Sequence, residues 1–338
     1  MIIGIIGCGG VAQAHVHALS QIESVTELAF YDINDYNMCQ LSELTTRPVK
    51  FCTTLAELAQ KSDGFIICTP NNLHVSLAEE VLKHKQIPFV CEKPLSTHLA
   101  SARRLAELAP CNSIVSFNYR YNRIIQNLVQ VKNDRELGKL HFFSAEFNKN
   151  SALTRNHLTW RDSAQQSKSS GALGDLSCHL LDLFCLLSDD TINTNNLRIA
   201  KGTRVGTKDD GLVEVDDNGY IFGHACGGAY FRIKASKSDE ADKLGLHFNL
   251  VFDRGEIRYS TQNKNRLFLT LFNQIGVEDV TFSDAKILSD PPRELPYWSD
   301  SFYHLLQDWC LALKGKPHTV SLPTLSAGLH IQEIMEAF

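Results

Sequence analysis

The chain of 338 residues has little of what marks a fibrous, disordered or membrane-embedded protein. Glycine and proline number only 20 and 10 and follow no period, which excludes a collagen-like or low-complexity chain. Basic residues are in deficit. Against 38 Asp and Glu stand 33 Lys and Arg, a formal charge of −5, so no basic footprint points to nucleic acid or an anionic membrane. No run approaches the roughly 18 uninterrupted apolar residues that a membrane helix needs. A basic leader is also missing, because Met1-Ile2-Ile3-Gly4-Ile5-Ile6 runs straight into a glycine-rich turn. The ten cysteines form no C-x-x-C pair, which argues against a disulfide framework or a zinc module. Several sit in apolar runs such as Phe65-Ile66-Ile67-Cys68 and read as small core residues. From these absences we expect a cytoplasmic protein with no metal, nucleic-acid or membrane partner.

What is present is a 43% hydrophobic chain long enough for two domains at about 150 residues each. The first 120 residues alternate short apolar runs (Ile2–Ile6, Leu28–Tyr31, Val49–Phe51, Gly64–Cys68, Pro88–Cys91, Ile114–Phe117) with amphipathic helical patterns. Strict alternation of this kind means βαβ units and a parallel sheet with right-handed crossovers. Beyond that point a helical stretch and a strand at Leu140–Phe147 lead into polar, irregular residues 148–170. Residues 172–188 read as one helix. Six β-rich runs between Leu197 and Leu271 follow and suggest a mostly antiparallel sheet. The chain ends on helical spacing, with Phe302, Leu305, Leu306 and Trp309 at i, i+3, i+4 and i+7.

Three segments carry chemistry. Gly7-Cys8-Gly9-Gly10-Val11-Ala12 fits G-x-G-x-x-A after a predicted strand and at the start of a predicted helix. The first glycine permits the tight turn, the second lets backbone approach a pyrophosphate, and the small last residue lets helix pack on strand. The helix N-terminus then offers unpaired N–H groups to the phosphates. Asp32 follows about twenty residues later, where an acid binds ribose hydroxyls. With no Arg or Lys close by, it favours NAD over NADP because a carboxylate repels a 2′-phosphate. The second segment is Glu92-Lys93-Pro94 at the end of the fifth strand, where ligands of open α/β sheets bind; a lysine there also serves as a plain solvated charge. The third is Gly171–Asp182. On a helix, Asp175, His179 and Asp182 share one face at i, i+4 and i+7. A histidine beside carboxylates acts as a proton acceptor near neutral pH, although a capping aspartate and a packed core histidine fit the same letters.

Together these segments resemble the Gfo/Idh/MocA oxidoreductases, the family of glucose–fructose oxidoreductase and inositol 2-dehydrogenase. Thr69-Pro70-Asn71-Asn72-Leu73-His74, Asn118-Tyr119-Arg120-Tyr121, Trp160-Arg161 and Asp216-Asp217-Asn218 extend the resemblance over most of the chain. It implies an α/β protein with a doubly wound Rossmann domain over residues 1–119, on which helices at about 298–338 pack back. It also implies a second α/β domain over 120–297 with a large open, mostly antiparallel sheet, through which a homodimer or homotetramer would form. Carried over residue by residue, it makes Lys93, Asp175 and His179 catalytic. Gly7, Cys8, Gly9, Gly10, Val11, Ala12, Asp32, Thr69, Pro70, Asn71, His74, Glu92 and Lys93 would hold NAD. Arg120, Tyr121, Trp160 and Arg161 would join the catalytic set around the substrate. For His74, packing remains an equal reading, as do core packing for Trp160 and a surface ion pair for Arg161. The activity implied is hydride transfer between NAD and a secondary alcohol or ketone of a sugar, glycoside or cyclitol. His179 would be the acid/base, Lys93 would polarise the oxygen and Asp175 would anchor a neighbouring hydroxyl. A nucleotide-sugar substrate and a non-catalytic dinucleotide sensor are the alternatives. Residues 163–170 are read as a lid over the pocket.

Overall fold

A computed structural model describes residues 1–164, 171–290 and 295–338. It divides into two compact units, Met1–Tyr121 with Ser299–Gln332 and Asn122–Trp298 with Glu333–Phe338. Among the described residues no helix is long and apolar enough to cross a membrane.

The first unit is built on a parallel sheet of β1 (Ile2–Ile6), β2 (Glu27–Tyr31), β3 (Val49–Phe51), β4 (Gly64–Ile67), β5 (Phe89–Cys91) and β6 (Ile114–Val115), in the order β3-β2-β1-β4-β5-β6. The order reverses on either side of β1, so a crevice opens beyond the carboxyl ends of β1 and β4, where such sheets bind ligands. Ile3, Ile5, Phe65, Ile66, Phe89 and Val90 have no exposed surface, as expected of strands covered by helices on both faces. The sixth strand is two residues shorter than its apolar run. Ser116 N–H still bonds to the Cys91 carbonyl, but Phe117 N–H turns back to Val115 and closes the strand. Residues 299–332 return to this sheet. Val115 N–H donates to the Pro323 carbonyl at 2.9 Å, and buried Trp309 donates its indole N–H to the Asn112 carbonyl at 2.9 Å.

The second unit contains β7 (Leu140–Asn148), β8 (Arg198–Gly202), the small hairpin β9 (Thr207–Lys208) and β10 (Gly211–Leu212), β11 (Asn218–His224), β12 (Tyr230–Ser236), β13 (Gly245–Phe252), β14 (Gly255–Ser260), β15 (Arg266–Leu271) and β16 (Glu278–Thr281). Eight of these form one sheet, β16-β15-β14-β13-β7-β12-β11-β8, antiparallel except where β7 pairs with β12. The hairpin and β16 are additions to the pattern read from sequence; strands of two to four residues are too short to carry an alternation. Helix Cys178–Ser188 covers one face, where Phe184 meets Phe143 and Phe231 at ring distances of 5.5 and 4.8 Å. The other face is open and carries Phe142, Phe222 and Tyr230 beside the Glu146–Arg232 ion pair.

The single helix expected over 172–188 is instead a π-helical turn at Leu173–Ser177 that passes into the α-helix. In an α-helix the Leu173 carbonyl would take the Ser177 backbone N–H; here the Ser177 hydroxyl donates to it. The strand side holds the turn as well. Ala172 N–H bonds to the Asp216 carbonyl at 2.8 Å and Leu173 N–H to Asp216 Oδ2 at 2.9 Å. Residues 148–164 are less irregular than expected, with a short helix at Ser151–Thr154 and a 3-10 turn at Trp160–Asp162. Of the segment read as a lid, 165–170 lies outside the described residues.

Candidate active site

In the first unit, Gly7 follows β1 with φ +85°, in the left-handed region that favours glycine, and donates its N–H to the Tyr31 carbonyl at 2.9 Å. A Cβ at Gly7 would lie 2.6 Å from Thr69 Cγ2, so the turn after β1 and the loop after β4 touch. Helix Gly10–Gln21 starts without a side-chain cap, and a Cβ at Gly9 or Gly10 would meet no heavy atom within 4 Å. The first N–H groups of the helix therefore border open surface of the kind an oxyanion approaches. Cys8 N–H donates to Asp32 Oδ2 at 2.7 Å, while Oδ1 accepts from Asn34 N–H at 2.9 Å and the Asn37 amide at 3.3 Å. Asp32 is thus fixed beside the turn with part of its acceptor capacity unfilled by these three donors. Burial, then the nearby Asp32 charge, pushes the Cys8 thiol up to about 12, so Cys8 is a packing residue and not a nucleophile. Val11 and Ala12 form the first helical turn, Ala12 without exposed surface.

The buried Thr69 hydroxyl finds no hydrogen-bond partner among the described residues, which suits a loop that receives a polar ligand. Pro70 is half-buried and Asn71 buried at the same loop. His74, fully buried, places Nε2 3.0 Å from the Thr69 carbonyl and Nδ1 3.0 Å from the Pro94 carbonyl, so it spans the loops after β4 and β5. Burial lowers its pKa against the opposing pull of those carbonyls and of Glu92. Between β5 and the cis Lys93–Pro94 bond, Glu92 is buried and accepts from His15 Nε2 at 2.7 Å. Burial alone would raise its pKa, but the His15 hydrogen bond and charge and the Lys93 ammonium hold it below the usual carboxylate range. His15, on the helix that starts at the glycine turn, stands outside every motif. No sequence pattern marks it. Arg120 and Tyr121 are buried at the end of this unit, where the Tyr121 hydroxyl reaches the Val320 carbonyl at 3.5 Å.

In the second unit, Asp175 lies in the π-helical turn, and His179 and Asp182 follow on the α-helix at 4% and 1% exposure. Lys237, buried just past β12, places Nζ 3.0 Å from Asp175 Oδ2. No sequence pattern marks this lysine, because strand order alone brings it 62 positions back to the helix. Lys237 also lines a recess with Arg155, Arg161, Asp162, Lys208 and Asp216. Arg161 is exposed there; Trp160 opens the adjoining 3-10 turn, and its side chain lies outside the described set. Asp162 and Lys208 form a buried ion pair at 2.8 Å. Among the described residues, no group of three His, Cys, Asp or Glu side chains is arranged to hold a metal ion.

A doubly wound parallel sheet with a glycine turn, an uncapped helix start and an acid fixed at the end of the second strand defines a dinucleotide-binding α/β protein. Residues 1–119 match the NAD-binding Rossmann domain of an oxidoreductase family, and residues 130–338 match its C-terminal alpha/beta domain. The chain belongs to this family, the Gfo/Idh/MocA oxidoreductases. It is 35% identical to glucose-6-phosphate 3-dehydrogenase of Bacillus subtilis (strain 168), over 99% of this chain and 95% of that one. Myo-inositol 2-dehydrogenase of Thermotoga maritima is 28% identical over 42% of this chain and 43% of its own. Levoglucosan dehydrogenase in complex with NADH and levoglucosan shares the fold, with TM-score 0.83 at 19% identity over 100% of this chain and 96% of that one.

Proposed function

We propose that the protein moves a hydride between NAD and a secondary alcohol or ketone of a sugar, with a hexose 6-phosphate as the first substrate to test. The observation that carries this is the uncapped, glycine-faced start of the first helix beside a fixed Asp32, in a chain of this family. The similarity to a glucose-6-phosphate 3-dehydrogenase along nearly the whole chain directs the choice of sugar. In this reading residues 7–12 receive the pyrophosphate, Asp32 the adenosine ribose, and the loop at Thr69 and Asn71 the rest of the dinucleotide. Bound NAD supplies the hydride acceptor. The protein must then remove a hydroxyl proton and steady the charge that develops on oxygen. His179 takes the proton, Lys93 donates to the reacting oxygen, and Asp175 accepts from a neighbouring hydroxyl while Lys237 holds its other side.

Cys52, Cys68, Cys91 and Cys310 are buried as small core residues, which supports the reading of a cytoplasmic protein. The open sheet face with Phe142, Phe222 and Tyr230 supports a homodimer or homotetramer formed across that sheet. The test is NADH absorbance on mixing purified protein and NAD with glucose 6-phosphate, glucose, inositols and UDP-sugars. Turnover on a sugar that Lys93→Ala lowers by orders of magnitude, with NADH binding retained, is the expected result. Equal turnover in the variant would remove Lys93 from the chemistry.

A further inference from the structure

We propose that Asp216-Asp217-Asn218, at the entry to β11, is a positioning element for the reaction, holding the turn that carries Asp175 in register with the strand end that carries Lys237. This rests on the sugar-dehydrogenase reading above, in which Asp175 receives a substrate hydroxyl, and it gives a part to residues which that reading leaves unused. Asp216 holds the turn. Its carbonyl accepts from Ala172 N–H at 2.8 Å and its Oδ2 from Leu173 N–H at 2.9 Å, two positions before Asp175. Gly171 lets the two segments meet, since a Cβ there would overlap Asp216 Oδ1, and a Cβ at Gly219 would overlap the Leu173 side chain.

The next two residues hold the strand end. Lys237 follows Ser236, the last residue of β12, and its backbone N–H donates to the Asp217 carbonyl at 2.7 Å. Its carbonyl accepts from Ala152 N–H at 2.7 Å, so both backbone groups of Lys237 are engaged. Asn218 pairs with Ser236 in the register of β11 with β12 and clasps the residues on either side of the lysine. Asn218 Oδ1 accepts from the Ser236 hydroxyl at 2.7 Å, while Nδ2 donates to Ser238 Oγ at 2.6 Å and to Asp217 Oδ1 at 2.8 Å. The amide thereby uses its oxygen and both N–H groups. Asp217 is itself anchored by Arg204 N–H and Val205 N–H, at 2.8 and 2.7 Å. Three consecutive residues therefore fix both partners of the ion pair in which Lys237 Nζ stands 3.0 Å from Asp175 Oδ2. The Asp175 side chain keeps 28% exposure against 7% for Lys237, so the carboxylate is the member open to a ligand. A hydrogen bond weakens steeply as its angle closes, and a misplacement of about 1 Å can cost on the order of 10²-fold in rate. Loss of this element is thus read in turnover.

The experiment measures kcat and KM, with NAD saturating, on whichever of glucose 6-phosphate, glucose, inositols and UDP-sugars wild type oxidises fastest. Asp216→Ala and Asn218→Ala should each lower kcat/KM at least tenfold while the NADH Kd stays within twofold. Asp216→Asn, which keeps an oxygen for Leu173 N–H, should recover most of the loss. Asp253→Ala, which deletes a carboxylate bond to Lys139 N–H at 2.6 Å in the same unit, should leave kcat/KM within twofold. In an Asp175→Asn background, Asn218→Ala should cost less than a further threefold, because it acts through that carboxylate. A kcat/KM within twofold of wild type in both alanine variants overturns the proposal, and so does a full tenfold loss in the Asp175→Asn background. Both outcomes leave the dehydrogenase reading intact. A wild type that oxidises no sugar of the set removes that reading and the proposal with it. Where circular dichroism shows that an alanine variant does not fold, Asp216→Ser and Asn218→Ser carry the same test.

Discussion

Replacing His15 by leucine removes the closer donor to Glu92 and leaves a carboxylate with side-chain exposure of only 9% to the Lys93 N–H at 3.3 Å and the Lys93 charge. An uncompensated buried charge either costs several kcal/mol or is neutralised by a proton. Protonation sets the ceiling. Carrying a carboxyl of ordinary pKa near 4.3 to its neutral form at pH 7 costs about 3.7 kcal/mol, at 1.36 kcal/mol per unit. We therefore expect His15→Leu to lose up to about 3–4 kcal/mol of stability at pH 7. The sign of the pH dependence follows from the direction of the shift. In wild type the Glu92 pKa is lowered, so its contribution is present above the unfolded value near 4.3 and is lost as pH falls through the folded value. In the variant burial raises it, so folded protein holds a proton that the unfolded chain releases, and stability falls as pH rises. The gap between the two proteins should widen from pH 5 to pH 7 at up to about 1.4 kcal/mol per unit. The other groups coupled to Glu92 (Lys93, His74, Cys68 and Cys91) are unchanged in both proteins. Urea unfolding of the two proteins at several pH values measures the gap. A gap below about 1 kcal/mol at pH 7, or one that does not vary with pH, would refute the reasoning, and His15→Gln, which keeps a donor, should lose less.

At the glycine turn, Gly7→Ala forces a positive φ on an L-residue and a Cβ 2.6 Å from Thr69. We expect a loss of roughly 2–4 kcal/mol from backbone strain and overpacking together, seen as a lower urea midpoint, and NADH binding weakened at least tenfold by fluorescence titration. For cofactor choice, NADH should bind at least tenfold more tightly than NADPH, a gap of about 1.4 kcal/mol, and Asp32→Ala should narrow it. Equal affinities in wild type would remove Asp32 from that role.

The Rossmann half was legible because its signals are local. Apolar runs and helical spacing alternate within 120 residues, and Gly7, Gly9 and Asp32 stand at intervals that one βαβ unit imposes. That Asp175, His179 and Asp182 fall in one continuous helical stretch was legible for the same reason. Even there a local reading fell short, for no periodicity distinguishes a π-helical turn from the α-helix it interrupts. The remaining features depend on chain returns. His15 meets Glu92 across 77 positions, and Lys237 comes back to Asp175 because β12 runs parallel to β7. Residues 299–332 rejoin the first sheet after the chain has passed through residues 122–298 of the second unit. A side chain carries its own spacing along an element, but which elements become neighbours is decided by the burial of whole faces. Buried pairs such as His15–Glu92 and Lys237–Asp175 exist only once those faces have met.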